Sequence, residues 1–297
     1  MDKKDANVLN TVYVIGAGAS KEANLPTGYE LKEKIIKALD IRFTPFPFRE
    51  QNSGDYIITE ALRIFVKRTA APNSPNSGIG QYISDAAWHI RNALPQAISI
   101  DHYIDTRRDD DKIALCGKLA IVRSILDAEK NSHLHFESSN KDSNIPFLKL
   151  EKTWNTPFFQ LLTENCTKND LQERFKYFTL IIFNYDRCIE HFIYYALQDY
   201  YRISEREAAE LVKAINIYHP YGNVGTLPWQ KRHLGSNKNM VMEFGKEPNP
   251  VQLSELSKNI KTFTEGTNPQ SSEISEIRRH MSIANRVVFL GFAFHPM

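Results

Sequence analysis

The chain has 297 residues, of which 42% are hydrophobic and 24% charged, a composition typical of a globular protein with one large or two modest domains. Its formal net charge of +2 gives no electrostatic argument for binding nucleic acid or an anionic membrane surface. No apolar run reaches the ~18–20 residues of a membrane-spanning helix, and the first residues lack the apolar core of a signal peptide.

The three cysteines are widely separated and form no C-x-x-C pair. Cys116, Cys166 and Cys188 therefore support neither a disulfide framework nor a structural zinc site. We expect reduced thiols in a cytoplasmic protein without a metal.

The first predicted element is a strand over Val12–Ile15, which ends in the turn Gly16-Ala17-Gly18. Glycines in such a turn let the backbone approach a phosphate, and the amides that follow can face the anion. An amphipathic helix is predicted over Tyr29–Leu39. Lys21 stands where a dinucleotide-binding G-x-G-x-x-G would have its third glycine, which disfavours a dehydrogenase. The glycines can also be explained as a tight strand–helix turn without a ligand.

Residues from about 41 to about 175 do not continue the strand–helix alternation. They contain a Pro/Asn/Ser/Gly-rich break at 71–78 and a polar stretch at 137–143. Helical patterns such as Ile113–Lys130 and Trp154–Thr163 lie around these breaks. We interpret 41–175 as a mainly helical insertion that packs over the sheet as a smaller domain.

Three further apolar runs predict strands at Phe178–Phe183, Asn216–Tyr218 and Arg286–Leu290. Helical spacing at Asp186–Tyr200 and a capping box that opens Ser204–Ile215 predict the helices between them. This alternation predicts an α/β fold, a doubly wound parallel sheet, built from residues 11–40 and 176–297.

Polar residues follow three of the predicted strands. Besides the glycine turn, Asn184 and Asp186 follow the second strand, and His219 follows the third. Because parallel strands end at one edge of a sheet, an amide, a carboxylate and an imidazole should converge beside a phosphate-binding turn. The alternatives are structural: Asn184 as a turn residue, Asp186 as a helix N-cap, and His219 as a hydrogen-bonded turn histidine.

In these motifs the sequence resembles the SIR2-like (sirtuin-related) family, and most closely the bacterial SIR2-like proteins of anti-phage defence. Residues 16–20 with 26–28 resemble the family's first NAD-binding motif, and 184–186 resemble its Asn-x-Asp motif. His219 with Gly222 resembles the catalytic histidine and its glycine. Residues 99–104 resemble a motif of the helical part, and 287–294 resemble the last nucleotide-contacting segment.

The resemblance implies a Rossmann-like, SIR2-type sheet and NAD as substrate, with Asn184 and His219 as the catalytic residues. The residues it places around NAD are Gly16, Ala17, Gly18, Ala19, Ser20, Pro26, Gly28, Asp186, Gly222, Gly291 and Phe292. Protein-deacylating sirtuins usually carry a four-cysteine zinc module, which three cysteines cannot build. The remaining family chemistry is hydrolysis of the nicotinamide–ribose bond.

That reaction can also be argued from the residues. Nicotinamide leaves as a neutral molecule, so the main requirement is to stabilise an oxocarbenium-like ribose. An amide such as Asn184 can hold a ribose hydroxyl and an attacking water. An imidazole such as His219 can accept a proton.

The leading expectation is an NAD⁺ hydrolase that depletes NAD in anti-phage defence. Uncontrolled NAD loss is toxic, so we expect a partner protein that acts as sensor or regulator, or an assembly-driven switch in a homo- or hetero-oligomer. The alternative is a non-catalytic module that binds NAD or ADP-ribose. Family members usually continue beyond the last motif, which leaves open whether the sequence ending at Met297 is truncated.

Overall fold

The computed structural model describes residues 9–45, 49–69, 79–137, 144–230 and 240–292. Four strands in this part of the chain form a parallel sheet, and two short strands form a separate antiparallel pair. The strands are β1 (Thr11–Ile15), β2 (Arg42–Phe43), β3 (Gln51–Ser53), β4 (Phe178–Ile182), β5 (Asn216–Tyr218) and β6 (Arg286–Leu290).

Helices make up most of the remaining described chain. They are α1 (Ala17–Ser20), α2 (Gly28–Ala38), α3 (Tyr56–Thr69), α4 (Ile79–Gln81), α5 (Trp88–Ala93), α6 (Ile100–Asp105), α7 (Asp111–Lys130), α8 (Phe147–Leu150), α9 (Asn155–Thr163), α10 (Leu171–Phe175), α11 (Cys188–Tyr201), α12 (Glu205–Val212), α13 (Pro250–Ser257), α14 (Phe263–Gly266) and α15 (Ser272–Ser282). A π-helix over Tyr82–Ala87 joins α4 to α5. None of the helices described is long and apolar enough to cross a membrane.

The four predicted strands are confirmed, and they run in the order β5-β4-β1-β6. The second strand ends at Ile182, one residue before its predicted end. From β1 the chain adds β4 and then β5 on one side, and it returns to place β6 on the other side of β1. The direction of winding therefore reverses between β1 and β6, which is where open α/β sheets bind ligands.

Both faces of the sheet are covered at its central strands β1 and β4, whereas Val287 and Phe289 of the edge strand β6 are exposed. Tyr13 and Ile15 of β1 belong to a large core that includes α9, α11 and α12. Val12 and Val14 point to the opposite face, where Ile277 of α15 packs against them. The alternation of side chains along β1 accounts for this division. The result is an α/β fold with an all-parallel sheet, an arrangement compatible with a Rossmann-like fold.

The predicted insertion contributes to two cores. The first part of the insertion contains α3, α5, α6 and α7. These helices form a second core with two helices from outside the insertion, α2 and α13. The last part of the insertion, α8 to α10, joins the core of the parallel sheet. The strand pair β2–β3 lies in the same region, and the sequence patterns did not predict it. The domain limits at 41 and 175 stay a prediction.

The predicted helices are confirmed with shifted ends. Those expected over Tyr29–Leu39 and Ile113–Lys130 correspond to α2 and α7. The capping box predicted at Ser204 is formed, with Glu207 as its second member. The helix after β4 begins at Cys188 rather than at Asp186, so the backbone of Asn184, Tyr185 and Asp186 remains a loop at the edge of the sheet.

Candidate functional site

Asn184 lies at the centre of the candidate site, between the end of β4 and the turn that follows β1. Its side chain is 95% buried, and its Nδ2 donates to the Gly16 carbonyl at 3.1 Å and to the Ser20 hydroxyl at 3.0 Å. A carbonyl can only accept, so the contact with Gly16 fixes which end of the amide is nitrogen. The Oδ1 atom has no hydrogen-bond partner among the described residues. It is a buried acceptor held in a defined position.

His219 is the first residue after β5. It contacts the main chain of Asn184, whereas the glycine turn contacts the Asn184 side chain. Its Nε2 is 2.6 Å from Oε1 of Glu190, and its Nδ1 is 3.4 Å from the main-chain oxygen of Asn184. Burial lowers the pKa of the imidazole, but the Glu190 carboxylate and the Asn184 carbonyl outweigh it and raise the pKa above its ordinary value. With an acceptor at each ring nitrogen, the resting contacts favour the imidazolium.

Asp186 belongs to the same network. One of its carboxylate oxygens accepts from the Cys188 amide at 3.1 Å, and the Ser20 hydroxyl is a second hydrogen-bond partner. Burial raises the pKa of this carboxyl group despite these contacts. The predicted N-cap is shifted, because Arg187 occupies the N-cap position of α11 while the carboxylate of Asp186 still binds the first amide of the helix.

The glycine turn packs against the end of β6. The Gly16 amide donates to the Leu290 carbonyl and the Gly18 amide donates to the Gly291 carbonyl, both at 2.9 Å. A Cβ on Gly16 or Gly18 would lie 2.7 or 2.8 Å from the Gly291 oxygen, closer than side chains tolerate. Backbone packing alone therefore requires both glycines. The Gly18 amide, predicted to face a phosphate, already has an acceptor.

The other residues expected near NAD at this end of the chain, Ala17, Ala19, Pro26 and Gly28, differ in their burial. Ala19 and Pro26 are buried and Ala17 is half-buried, all close to the glycine turn in sequence. Gly28 is exposed and begins α2, and a Cβ there would meet nothing within 4 Å. No contact in the described structure requires glycine at that position.

Gly222 and Phe292 have defined structural roles. Gly222 has a φ of +73°, its amide donates to the His219 carbonyl at 2.8 Å, and a Cβ would lie 1.8 Å from the Asn259 oxygen. This glycine closes the turn that carries His219. The ring of Phe292 packs edge-on against Phe183 at the end of β4. The remainder of the last motif, 293–297, lies outside the described residues.

Two groups of functional interest escaped the sequence patterns. One is Glu190, whose carboxylate contacts His219 from within an otherwise apolar stretch of α11. The signal available was a lone acid on the helix face shared with Tyr194 and Leu197, both buried. The other is the ion pair of Arg187 with Glu129 of α7, in which both side chains are completely buried. The sequence signal for this pair was the position of Arg187 directly after the Asn-x-Asp motif, between a predicted strand and an apolar helix.

Two cavities are lined by residues of this network or by residues expected near NAD. One, of about 660 Å³, borders the edge strand β5 and is lined by His219, Glu190, Asn216 and Asn223, among others. The other, of about 680 Å³, lies between α2 and α7 and includes Lys21 and Pro26 in its lining. The first gives the His219–Glu190 pair a route to solvent.

No family model, no curated protein and no solved structure matches this chain. In the ranges that the structure describes, no group of three or more His, Cys, Asp and Glu side chains is arranged to hold a metal ion. The hydrogen-bonded network at the edge of the sheet is therefore the feature of the molecule that bears on its function.

Proposed function

We propose that this protein is an NAD⁺ glycohydrolase of the SIR2-like type, which uses water to cleave the nicotinamide–ribose bond and gives nicotinamide and ADP-ribose. The observation that carries the proposal is the continuous network of the glycine turn, Asn184 and His219 at the carboxyl ends of three parallel strands. An SIR2-type sheet with a helical insertion and a cytoplasmic location are part of the same proposal.

Asn184 is the residue that holds the reacting ribose. Its Nδ2 is already engaged by Gly16 and Ser20, and its Oδ1 is buried without a protein partner. A ribose hydroxyl or an attacking water can donate to this oxygen, which satisfies an acceptor that is costly to leave unpaired. Because the amide is fixed in advance, little reorganisation is needed when positive charge develops on the ribose.

His219 is the proton acceptor. The reaction releases one proton from the attacking water, and a base near Asn184 must take it. The imidazole Nδ1 is the ring nitrogen nearer Asn184, and its 3.4 Å contact with the main-chain oxygen is long for a hydrogen bond. A substrate hydroxyl or water at this position can replace that weak contact.

The diphosphate of NAD would bind beside the glycine turn. Since the Gly18 amide donates to Gly291, binding at that amide requires the end of β6 to move. This requirement is consistent with an enzyme kept inactive until a partner protein, acting as sensor or regulator, or an oligomeric assembly opens the site. In this role the protein would deplete NAD as an anti-phage defence effector.

The test is incubation of the purified protein, alone and with extracts of phage-infected cells, with NAD⁺, followed by chromatography of the products. We expect nicotinamide and ADP-ribose in equal amounts. His219→Ala should lose about 10²–10⁴-fold in rate, and Asn184→Ala about 10²–10³-fold. His133→Ala, at an exposed histidine away from the site, is the matched control. Intact NAD under all activating conditions, with a folded sample, would reject the proposal.

The second candidate is a module that binds NAD or ADP-ribose without turnover. One observation favours it: both nitrogens of His219 face acceptors in the resting structure, so neither ring nitrogen offers a free lone pair to a substrate proton. Calorimetric titration with ADP-ribose separates the two. Equal affinity in wild type and His219→Ala, with no cleavage by either, is the result expected for a binding module.

A further inference from the structure

We infer that Glu190 is a positioning residue, which selects the tautomer of His219 and so makes Nδ1 the nitrogen that accepts the proton. This inference rests on the proposed function for its catalytic meaning. The contact itself can be tested without any activity.

The pair has the geometry of an orienting carboxylate and a base. Glu190 lies in the first turn of α11 and is 99% buried, with Oε1 2.6 Å from Nε2 of His219. Its Oε2 has no hydrogen-bond partner among the described residues. Burying a carboxylate is costly unless it is paired, and the imidazole is the partner that the structure provides.

This contact decides which ring nitrogen can act as a base. A carboxylate accepts and cannot donate, so the Nε2 of neutral His219 keeps its hydrogen toward Glu190, and the lone pair is on Nδ1. Nδ1 is the nitrogen on the Asn184 side, where the proposed substrate would react. The opposite tautomer would set the Nε2 lone pair against a negative charge.

The proton balance follows from this arrangement. As the water oxygen bonds to the anomeric carbon and nicotinamide leaves with the electrons of the C–N bond, one water proton moves to Nδ1. The imidazolium that results keeps its Nε2 hydrogen on Glu190, which compensates the new charge. The proton then leaves to solvent through the cavity beside β5 that both residues line.

Among the described residues, the other ionisable groups beside His219 are Asp186, Lys213 and Tyr218. Asp186, in the loop after β4, adds a smaller attraction for the imidazolium. Lys213 and Tyr218 also line the cavity beside β5, and Lys213 is ion-paired with Glu210 at its exposed side. Glu190 is the ionised group in direct contact with the ring, so its removal should dominate any change in the titration of His219.

The experiment is an NMR titration of the His219 ring in ¹³C-histidine-labelled protein, with its signal assigned by its loss in His219→Gln. Glu190→Gln should lower the pKa of His219 by about 1–3 units, because the opposite charge is gone while burial remains. Glu190→Asp retains the charge and should remain closer to the wild type. Glu60→Gln, in an ion pair with Arg63 on α3, is the matched control and should change nothing.

The pH profile of NAD cleavage provides the second readout. A base must be deprotonated, so the rate falls on the acid side, and in Glu190→Gln this acid limb should move to lower pH by the same amount as the NMR pKa. An unchanged His219 titration in a folded Glu190→Gln protein overturns the inference, whatever the activity. If the wild type cleaves no NAD, the proposed function fails, and the NMR titration still decides whether Glu190 controls the imidazole. If Glu190→Gln does not fold, the wild-type titration decides: a His219 pKa above its ordinary value supports the contact, because burial alone would lower it, and a value at or below the ordinary one refutes the contact.

Discussion

Replacing Arg187 with Met should destabilise the fold by about 3–5 kcal/mol, because it leaves Glu129 buried without its charged partner. The guanidinium Nε and Nη2 donate to the two carboxylate oxygens of Glu129 at 3.1 and 2.5 Å. Nη1 donates to the Met242 carbonyl at 2.6 Å. In the variant, that carbonyl loses its closest guanidinium donor. Of the described residues that bind Glu129, the main-chain amides of Arg187 and Gly245 remain.

The size of the effect has an upper limit. An orphaned glutamate can take up a proton, which at pH 7 costs about 4 kcal/mol, so the charge penalty cannot exceed that value. The lost hydrogen bond to the Met242 carbonyl adds on the order of 1 kcal/mol. At pH 5 protonation costs only about 1 kcal/mol, so the destabilisation caused by Arg187→Met should shrink by about 2–3 kcal/mol.

A double-mutant cycle measured by urea unfolding at pH 7 tests this reasoning. Glu129→Met alone should also be destabilising, since it leaves a buried guanidinium. The double variant Arg187→Met/Glu129→Met should be at least 2 kcal/mol more stable than the sum of the single effects predicts. Arg279→Met, at an exposed pair with Glu276, should unfold at the wild-type urea concentration. Additive single effects, or a loss below 1 kcal/mol for Arg187→Met, would refute the assignment of a coupled buried pair.

Two further predictions concern the fold around the site. Gly222→Ala should lower the free energy of unfolding by about 2 kcal/mol or more. The backbone φ of +73° is strained for alanine, and the added Cβ would overlap the Asn259 oxygen. Gly28→Ala, at an open helix start, should be neutral or slightly stabilising, and equal losses in the two urea curves would contradict this contrast. Burial, with a smaller contribution from Arg187, lowers the pKa of His191 to about 3 in the folded protein. Below pH 6.5 the unfolded chain therefore takes up a proton that the folded protein does not. The free energy of unfolding is unaffected by the titration of this residue above pH 6.5 and decreases as the pH falls toward 3. Between pH 6 and 4 the wild type should lose about 1.4 kcal/mol per pH unit more than His191→Phe, and parallel stability curves would refute this.

The parallel sheet was predictable because each strand is a continuous apolar run. Val12–Ile15 and Phe178–Ile182 are buried on both faces, and such runs leave a clear signal in the sequence. The strand order was not predictable from these runs, because β4 and β6 have similar compositions and either fits beside β1. The amphipathic pattern of α2 likewise predicts one buried face but does not identify its partner, which is the helical core shared with α13.

The candidate site was predictable in its positions but not in its contacts. Asn184 and His219 were placed by the strands they follow, since parallel strands end at one edge. Their hydrogen-bond partners depend on side-chain direction, which a spacing pattern does not contain. Glu190 is six residues from Asn184 in sequence and is placed against His219 by the rotation of α11. A charged residue in an apolar helix predicts a buried partner without naming it.

The Gly-x-Gly turn indicates that another group packs closely against its backbone, but the sequence does not say whether that group is a ligand phosphate or another part of the chain. Gly16 and Gly18 are required by the Gly291 carbonyl, which takes the position of a hydrogen-bond acceptor at the Gly18 amide. A phosphate oxygen is an acceptor of the same kind, with more negative charge. Under the proposed function, the two compete for one amide. NAD binding is then coupled to the position of the end of β6, because the amide cannot bind the phosphate fully while Gly291 keeps its contact. The glycines serve both states, since neither the β6 backbone nor a diphosphate would tolerate a side chain there.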